Sequence, residues 1–295
     1  MPNTSGATVS LVGGLQEIVD NYDLIVCDLW GVIHNGITPY VSAVTAIRAA
    51  RNKGLQTVFL SNAPRPRTHV RQHLLEMGVP EDLTDNVVTS GGLARDAVRA
   101  EFEGKRLYHL GPVGDRNTVE GLPVTEVDSP DEADVILATD MDYGRVEDHR
   151  SWLITAAAKK VPFLCANPDR VVHVGERLLQ CAGAVADLYE SMGGPVRWFG
   201  KPTPAALISC LVEGNMPAGT ARERVLMIGD SLQTDMAGAQ AAGFHGLFIA
   251  GGIHREEFPA LVEAAEKGAI PVSVFQGLFG TRKAVPHAVM QQLVW

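Results

Sequence analysis

The sequence predicts an α/β protein: a doubly wound, largely parallel sheet with a second, smaller α/β domain inserted into it. Three observations carry that expectation. Short β-branched or apolar runs alternate with longer helical patterns, the order that builds parallel sheets through βαβ crossovers. With 295 residues the chain is longer than a typical single domain. The middle of the chain carries its own strand and helix series and closes at the breaker Met192-Gly193-Gly194-Pro195, after which the α/β pattern resumes.

The elements follow in order. Strands are predicted at 24–28, 56–60, 86–89, 107–110, 134–138, 161–165, 224–228 and 246–250. The first, Leu24-Ile25-Val26-Cys27, is an unbroken apolar run of the kind found in strands covered on both faces. A helix over 41–50 ends at Lys53-Gly54, a basic last turn and a glycine stop, and strand 56–60 completes one βαβ unit. After Pro66, helical spacing sets Val70, Leu74, Leu75 and Met77 on one side, with Gly78 as the stop. Turn clusters at Gly111-Pro112-Val113-Gly114-Asp115 and Asp128-Ser129-Pro130-Asp131 punctuate the middle region. The predicted division is a core from 1–103 and 196–295 with an inserted domain at 104–195.

Composition narrows the function classes. With 25 basic and 34 acidic residues the formal charge is -9, which argues against an electrostatic grip on nucleic acid or an anionic membrane surface. The four cysteines, at 27, 165, 181 and 210, form no CxxC pair, so neither a zinc site nor a disulfide framework is expected. Reduced thiols and a polar start without a basic, apolar leader point to the cytoplasm. No apolar run approaches the ~20 residues of a membrane span.

In open parallel sheets ligands gather at the carboxyl ends of strands. Three predicted ends are polar: Asp28, Ser61-Asn62, and Gly229-Asp230-Ser231-Leu232-Gln233-Thr234-Asp235. A lysine, Lys201, lies in Phe199-Gly200-Lys201-Pro202-Thr203-Pro204. In this order the four segments resemble the four motifs of the haloacid dehalogenase superfamily, whose members are mostly magnesium-dependent phosphatases. The insertion, preceded by Val88-Thr89-Ser90-Gly91-Gly92-Leu93-Ala94 and followed by Trp198-Phe199-Gly200-Lys201-Pro202, resembles the class IIA branch with a C2-type cap. That branch includes sugar phosphate, nucleotide, pyridoxal phosphate and nitrophenyl phosphate phosphatases.

The resemblance implies roles. Asp28 attacks phosphorus and forms an aspartyl phosphate. Mg2+ is held by Asp28, the Trp30 backbone carbonyl and Asp230. The Ser61 hydroxyl and Asn62 backbone hold the transferring oxygens, Lys201 offsets charge on Asp28 and phosphate, and Asp235 orients Lys201 or a metal-bound water. The substrate is a small phosphorylated metabolite, and many proteins of this branch are homodimers. The cap loop Gly175–Ala184 would face substrate, with Arg177 toward an anionic group and the small residues Cys181, Ala182 and Gly183 letting backbone approach the ligand. Blander readings stand beside these: Asp28 and Asp230 as turn or capping acids, Arg177 as a surface residue, Cys181 as packing.

One position departs from the resembled pattern. Those phosphatases carry a second aspartate two residues after the nucleophile, where it protonates the leaving oxygen, and here that position is Trp30. Loss of such a group costs about 10² to 10⁴ in rate, least for leaving groups of low pKa. His34, six residues past Asp28, is a candidate substitute, with an ordinary pKa near 6.5. Two alternatives remain open: a phosphate- or ligand-binding protein that has lost turnover, and a dehalogenase-type hydrolase, which the paired Asp230 and Asp235 and the C2-type insertion count against.

Overall fold

The computed structural model describes residues 7–141, 144–174, 177–251, 256–281 and 283–295, with backbone only at 172–174 and 177–178. In chain order the strands are β1 (Thr8–Leu11), β2 (Leu24–Cys27), β3 (Gln56–Ser61), β4 (Val87–Thr89), β5 (Arg106–Leu110), β6 (Thr125–Val127), β7 (Val135–Ala138), β8 (Phe163–Cys165), β9 (Val171–Val174), β10 (Arg177–Gln180), β11 (Val196–Trp198), β12 (Val225–Gly229), β13 (His245–Ile249), β14 (Ala269–Pro271) and β15 (Ala288–Met290). The helices are α1 (Val41–Asn52), α2 (Arg67–Glu76), α3 (Ser90–Glu101), α4 (Arg150–Ala158), α5 (Ala182–Ser191), α6 (Pro204–Glu213), α7 (Ala237–Ala242), α8 (Phe258–Ala264) and α9 (Val272–Phe279). Each predicted strand is found within a few residues of its expected place, and the chain is an α/β protein with parallel sheets as expected.

The chain divides into two compact units. The first holds the chain up to Ser61, Arg71–Val88 and Pro202–Trp295. Its sheet runs β14-β1-β15-β13-β12-β2-β3-β4. From β1 through β3 the pairings are parallel, and β14 runs antiparallel against β1. β2 and β12 are buried along their whole length, which is why both read as unbroken apolar runs. From β2 the chain passes through α1 to β3 on one side, and much later returns as β12 on the other. The crevice between β2 and β12 is thus the point where the winding reverses, the usual ligand position in such sheets.

The second unit holds Asn62–Val70 and Thr89–Lys201. Its five strands, β11-β8-β7-β5-β6, are all parallel, and β9 and β10 form a separate antiparallel hairpin. Alternate residues of β7 serve two cores: Ile136 and Ala138 pack with α4 and α5, while Val135 and Leu137 pack with α3. The expected boundaries, 104 and 195, fall inside this unit. Ala94, Ala97 and Val98 of α3 are buried against Leu107, Val135 and Leu137, and β11 pairs with β8 at Val196 and Phe163. Apolar burial therefore draws 89–103 and 196–201 into the second unit.

Candidate metal centre and active site

β2 and β12 end in step: Cys27 lies opposite Ile228, and the Asp28 N–H donates to the Ile228 carbonyl at 2.8 Å. The register brings the residues just beyond each strand together. Asp28, Asp230 and Asp235 are all buried, and each offers a carboxylate oxygen within 4.8 Å of the other two. Asp28 Oδ1 accepts from the Leu29 N–H at 2.8 Å, which fixes the rotation of the carboxylate. Asp235 sits in a π-helical turn, Leu232–Met236, and accepts from the Ser231 N–H at 3.0 Å.

Two glycines make this density of carboxylates possible. Gly31 has φ +81°, and a Cβ there would overlap the Asp230 carboxylate. A Cβ on Gly229 would overlap the Asp235 side chain. The set is buried and made only of oxygen donors, which suits a hard cation such as Mg2+. Asp28 and Asp230, two of the expected metal ligands, lie in this cluster, and so does Asp235, expected to orient Lys201 or a metal-bound water.

The loop after β2 holds Trp30 and His34. Trp30 is 60% exposed, so it is not the buried plug an isolated tryptophan usually is. Its ring meets His34 edge-on, with centroids 5.7 Å apart, and a side chain on Gly36 would strike it. His34 is 6% exposed. Burial, followed by the charge of His73, pushes its pKa down to about 4. Its Nδ1 accepts from the Gly36 N–H at 2.9 Å. A neutral imidazole whose Nδ1 is already engaged is poorly suited to donate a proton near neutral pH.

Ser61 ends β3 in the first unit, half-buried. In the second unit Asn62 and Lys201 form a reciprocal pair: Lys201 N–H donates to Asn62 Oδ1 at 2.7 Å, and Asn62 Nδ2 donates to the Lys201 carbonyl at 3.1 Å. Asn62 Nδ2 also donates to Asp169 Oδ1 at 3.1 Å. Lys201 is 2% exposed, far from a solvated surface lysine. The Asn62 side chain thus acts on Lys201, a role the sequence reading missed by considering only its backbone. Asp169 closes Asn167-Pro168-Asp169, which the sequence reads as a structural turn.

Of the expected substrate loop, Cys181, Ala182 and Gly183 lie among the described residues. Cys181 and Ala182 are buried, and Ala182 and Gly183 open α5. A Cβ on Gly183 would contact the carbonyls of Asp169 and Pro168, so the glycine there admits the protein's own backbone. Burial pushes the Cys181 thiol up to about 12, which makes it unreactive. The side chain of Arg177, and residues 175 and 176, lie outside the described residues. Among the described residues no helix is long and apolar enough to cross a membrane, and the four cysteines are buried.

Residues 25–125 match the haloacid dehalogenase-like hydrolase family, and residues 198–273 match the related HAD-hydrolase-like family. A solved hydrolase of the haloacid dehalogenase-like family from Brucella suis 1330 is 34% identical, with a TM-score of 0.77 over 96% of this chain and 100% of that one. D-glycerol 3-phosphate phosphatase of Mycobacterium tuberculosis is 28% identical over 81% of this chain, which spans 66% of that protein's length. A glycerol phosphate phosphatase from the same organism, solved in complex with magnesium, is 26% identical with a TM-score of 0.64, over 80% of this chain and 70% of that one. The chain belongs to the haloacid dehalogenase-like hydrolases. Within them it falls in class IIA, the branch of sugar, nucleotide and nitrophenyl phosphatases.

Proposed function

We propose that this protein is a magnesium-dependent phosphatase that hydrolyses a small phosphate ester through Asp28. The observation that carries the reading is the buried cluster of Asp28, Asp230 and Asp235 at the β2–β12 switch point. The names of the relatives, phosphatases of glycerol phosphate, support a small phosphorylated metabolite as substrate.

In this reading Asp28 attacks phosphorus, and the aspartyl phosphate is then hydrolysed, which splits one difficult displacement into two easier ones. Bound by Asp28, the Trp30 carbonyl and Asp230, Mg2+ supplies the positive charge that lets a carboxylate approach a phosphate. The Ser61 hydroxyl and the Asn62 N–H donate to the transferring oxygens. Lys201, held through its backbone by the Asn62 side chain, offsets their charge. Asp235 orients Lys201 or a metal-bound water. The second unit takes the part of the C2-type cap. A cytoplasmic location is compatible with this reading, and so is a homodimer, as in many proteins of the resembled branch.

Trp30 limits the chemistry. With no carboxyl at this position and His34 neutral, no side chain of this loop delivers a proton to the leaving oxygen, so esters with good leaving groups should turn over fastest. Trp30 in place of an aspartate also favours a second reading, a phosphate-binding protein with lost turnover. The deciding experiment incubates wild type, Asp28→Asn and Trp30→Asp with magnesium and either acetyl phosphate or nitrophenyl phosphate, following phosphate release and covalent labelling. Release that Asp28→Asn abolishes supports the phosphatase. Label without release places the block at hydrolysis of the acyl phosphate, and neither signal across a broad phosphate panel sinks catalysis in favour of binding.

A further inference from the structure

A second cleft lies in the first unit at the opposite edge of its sheet. His245 opens β13 opposite Leu226, at the amino ends of the strands, whereas the carboxylate cluster follows their carboxyl ends. Four residues of strand, roughly 13 Å, separate the two edges. The cleft has a volume of about 240 Å³. Met236, Ala239 and Phe244 form a buried apolar floor, and Gln240, His245 and His287 supply the polar lining.

The two histidines stack, with ring centroids 3.8 Å apart and planes 19° from parallel. Both Nδ1 atoms are engaged: the Gly246 N–H donates to His287 Nδ1 at 3.1 Å, and His245 Nδ1 pairs with the Tyr22 hydroxyl at 3.1 Å. The bond from Gly246 settles the neutral tautomer of His287, because an Nδ1 that accepts leaves the proton on Nε2. What His287 can offer a ligand is therefore an N–H donor. Arg222 adds positive charge beside the floor: its guanidinium lies 5.8 Å from the centre of the Phe244 ring. Among the described residues its buried Nη1 has no hydrogen-bond partner.

We propose that this cleft is a second binding site, for a small organic carboxylate whose oxygens meet the imidazole edge and whose short apolar body lies over Phe244 and Met236. The donor edge and the nearby guanidinium select an anion, and the floor selects carbon over water. A divalent transition metal does not fit, because ligation through His287 Nε2 requires the tautomer that the Gly246 N–H excludes. The site is independent of the phosphatase reading.

The test follows the imidazole Hε1 signals of His245 and His287 by NMR at fixed pH and ionic strength, titrating acetate, butyrate, chloride and Zn2+ in turn. Butyrate should shift both signals saturably and bind about tenfold more tightly than acetate, from two further buried methylenes. His287→Gln should abolish the shifts while phosphate release and the amide spectrum stay as in wild type. The proposal is overturned if butyrate moves the signals no more than chloride does. It fails equally if acetate and butyrate bind alike, if the signals respond to Zn2+ in place of the carboxylates, or if folded His287→Gln keeps the response.

Discussion

At the scale of single residues, Trp30 separates two functions that one aspartate would combine. Its carbonyl remains available to a metal whatever the side chain, while the proton donor is gone. Trp30→Asp should therefore raise turnover of alkyl phosphates by more than it raises turnover of nitrophenyl phosphate, within the 10² to 10⁴ that a general acid typically contributes (about). An equal change for both leaving groups, measured as the ratio of kcat/KM, would show that protonation is not the limiting step. His34 beside it packs against the Trp30 ring and caps the Gly36 turn. Its pKa of about 4 lies below the working range, so His34→Gln should leave the pH profile of phosphate release between roughly pH 5.5 and 8 unmoved. A profile that shifts with the substitution would return His34 to the proton-transfer step.

At the scale of elements, the carboxylate cluster depends on the turn that leaves β2. Gly31 holds φ +81° there with the Asp230 carboxylate where a side chain would stand. Gly31→Ala should cost about 1–3 kcal/mol in stability from backbone strain alone. It should also shrink the rise in Tm on adding magnesium, because Asp230 must move; a normal magnesium-induced rise would show that Asp230 keeps its place. Much at this level was legible in the sequence. β2 and β12 announce themselves because both faces are buried, and Asp28 and Asp230 stand out as polar residues ending apolar runs. β1, β14 and β15 did not, being three or four residues long and defined by the strands beside them. Nor did the pairing of Asn62 with Lys201, since a contact between residues 139 positions apart leaves no periodic trace.

At the scale of the whole molecule, charge is unevenly comfortable. Asp140, just beyond β7, has its pKa raised to about 6 by burial and then by Asp115 and Asp169, against the stabilising N–H of Met141. The folded protein thus binds a proton more tightly than the unfolded chain, so stability falls as pH rises from about 4 to about 6 and stays reduced above that. Asp140→Asn should raise stability at pH 7 by about 1–3 kcal/mol and leave it unchanged near pH 4, as denaturant melts at the two pH values would read. A gain of equal size at both would mean that ionisation is not the cause. The pairing of β2 with β12 also sets a timetable. Their partner residues lie about 200 positions apart, and at roughly 5–20 residues per second a ribosome needs about 10–40 s to make the second after the first. Throughout that interval the nascent chain carries Asp28 without Asp230 and Asp235, and one edge of a wholly apolar strand waits uncovered, a natural client for whatever shields sheet edges during synthesis.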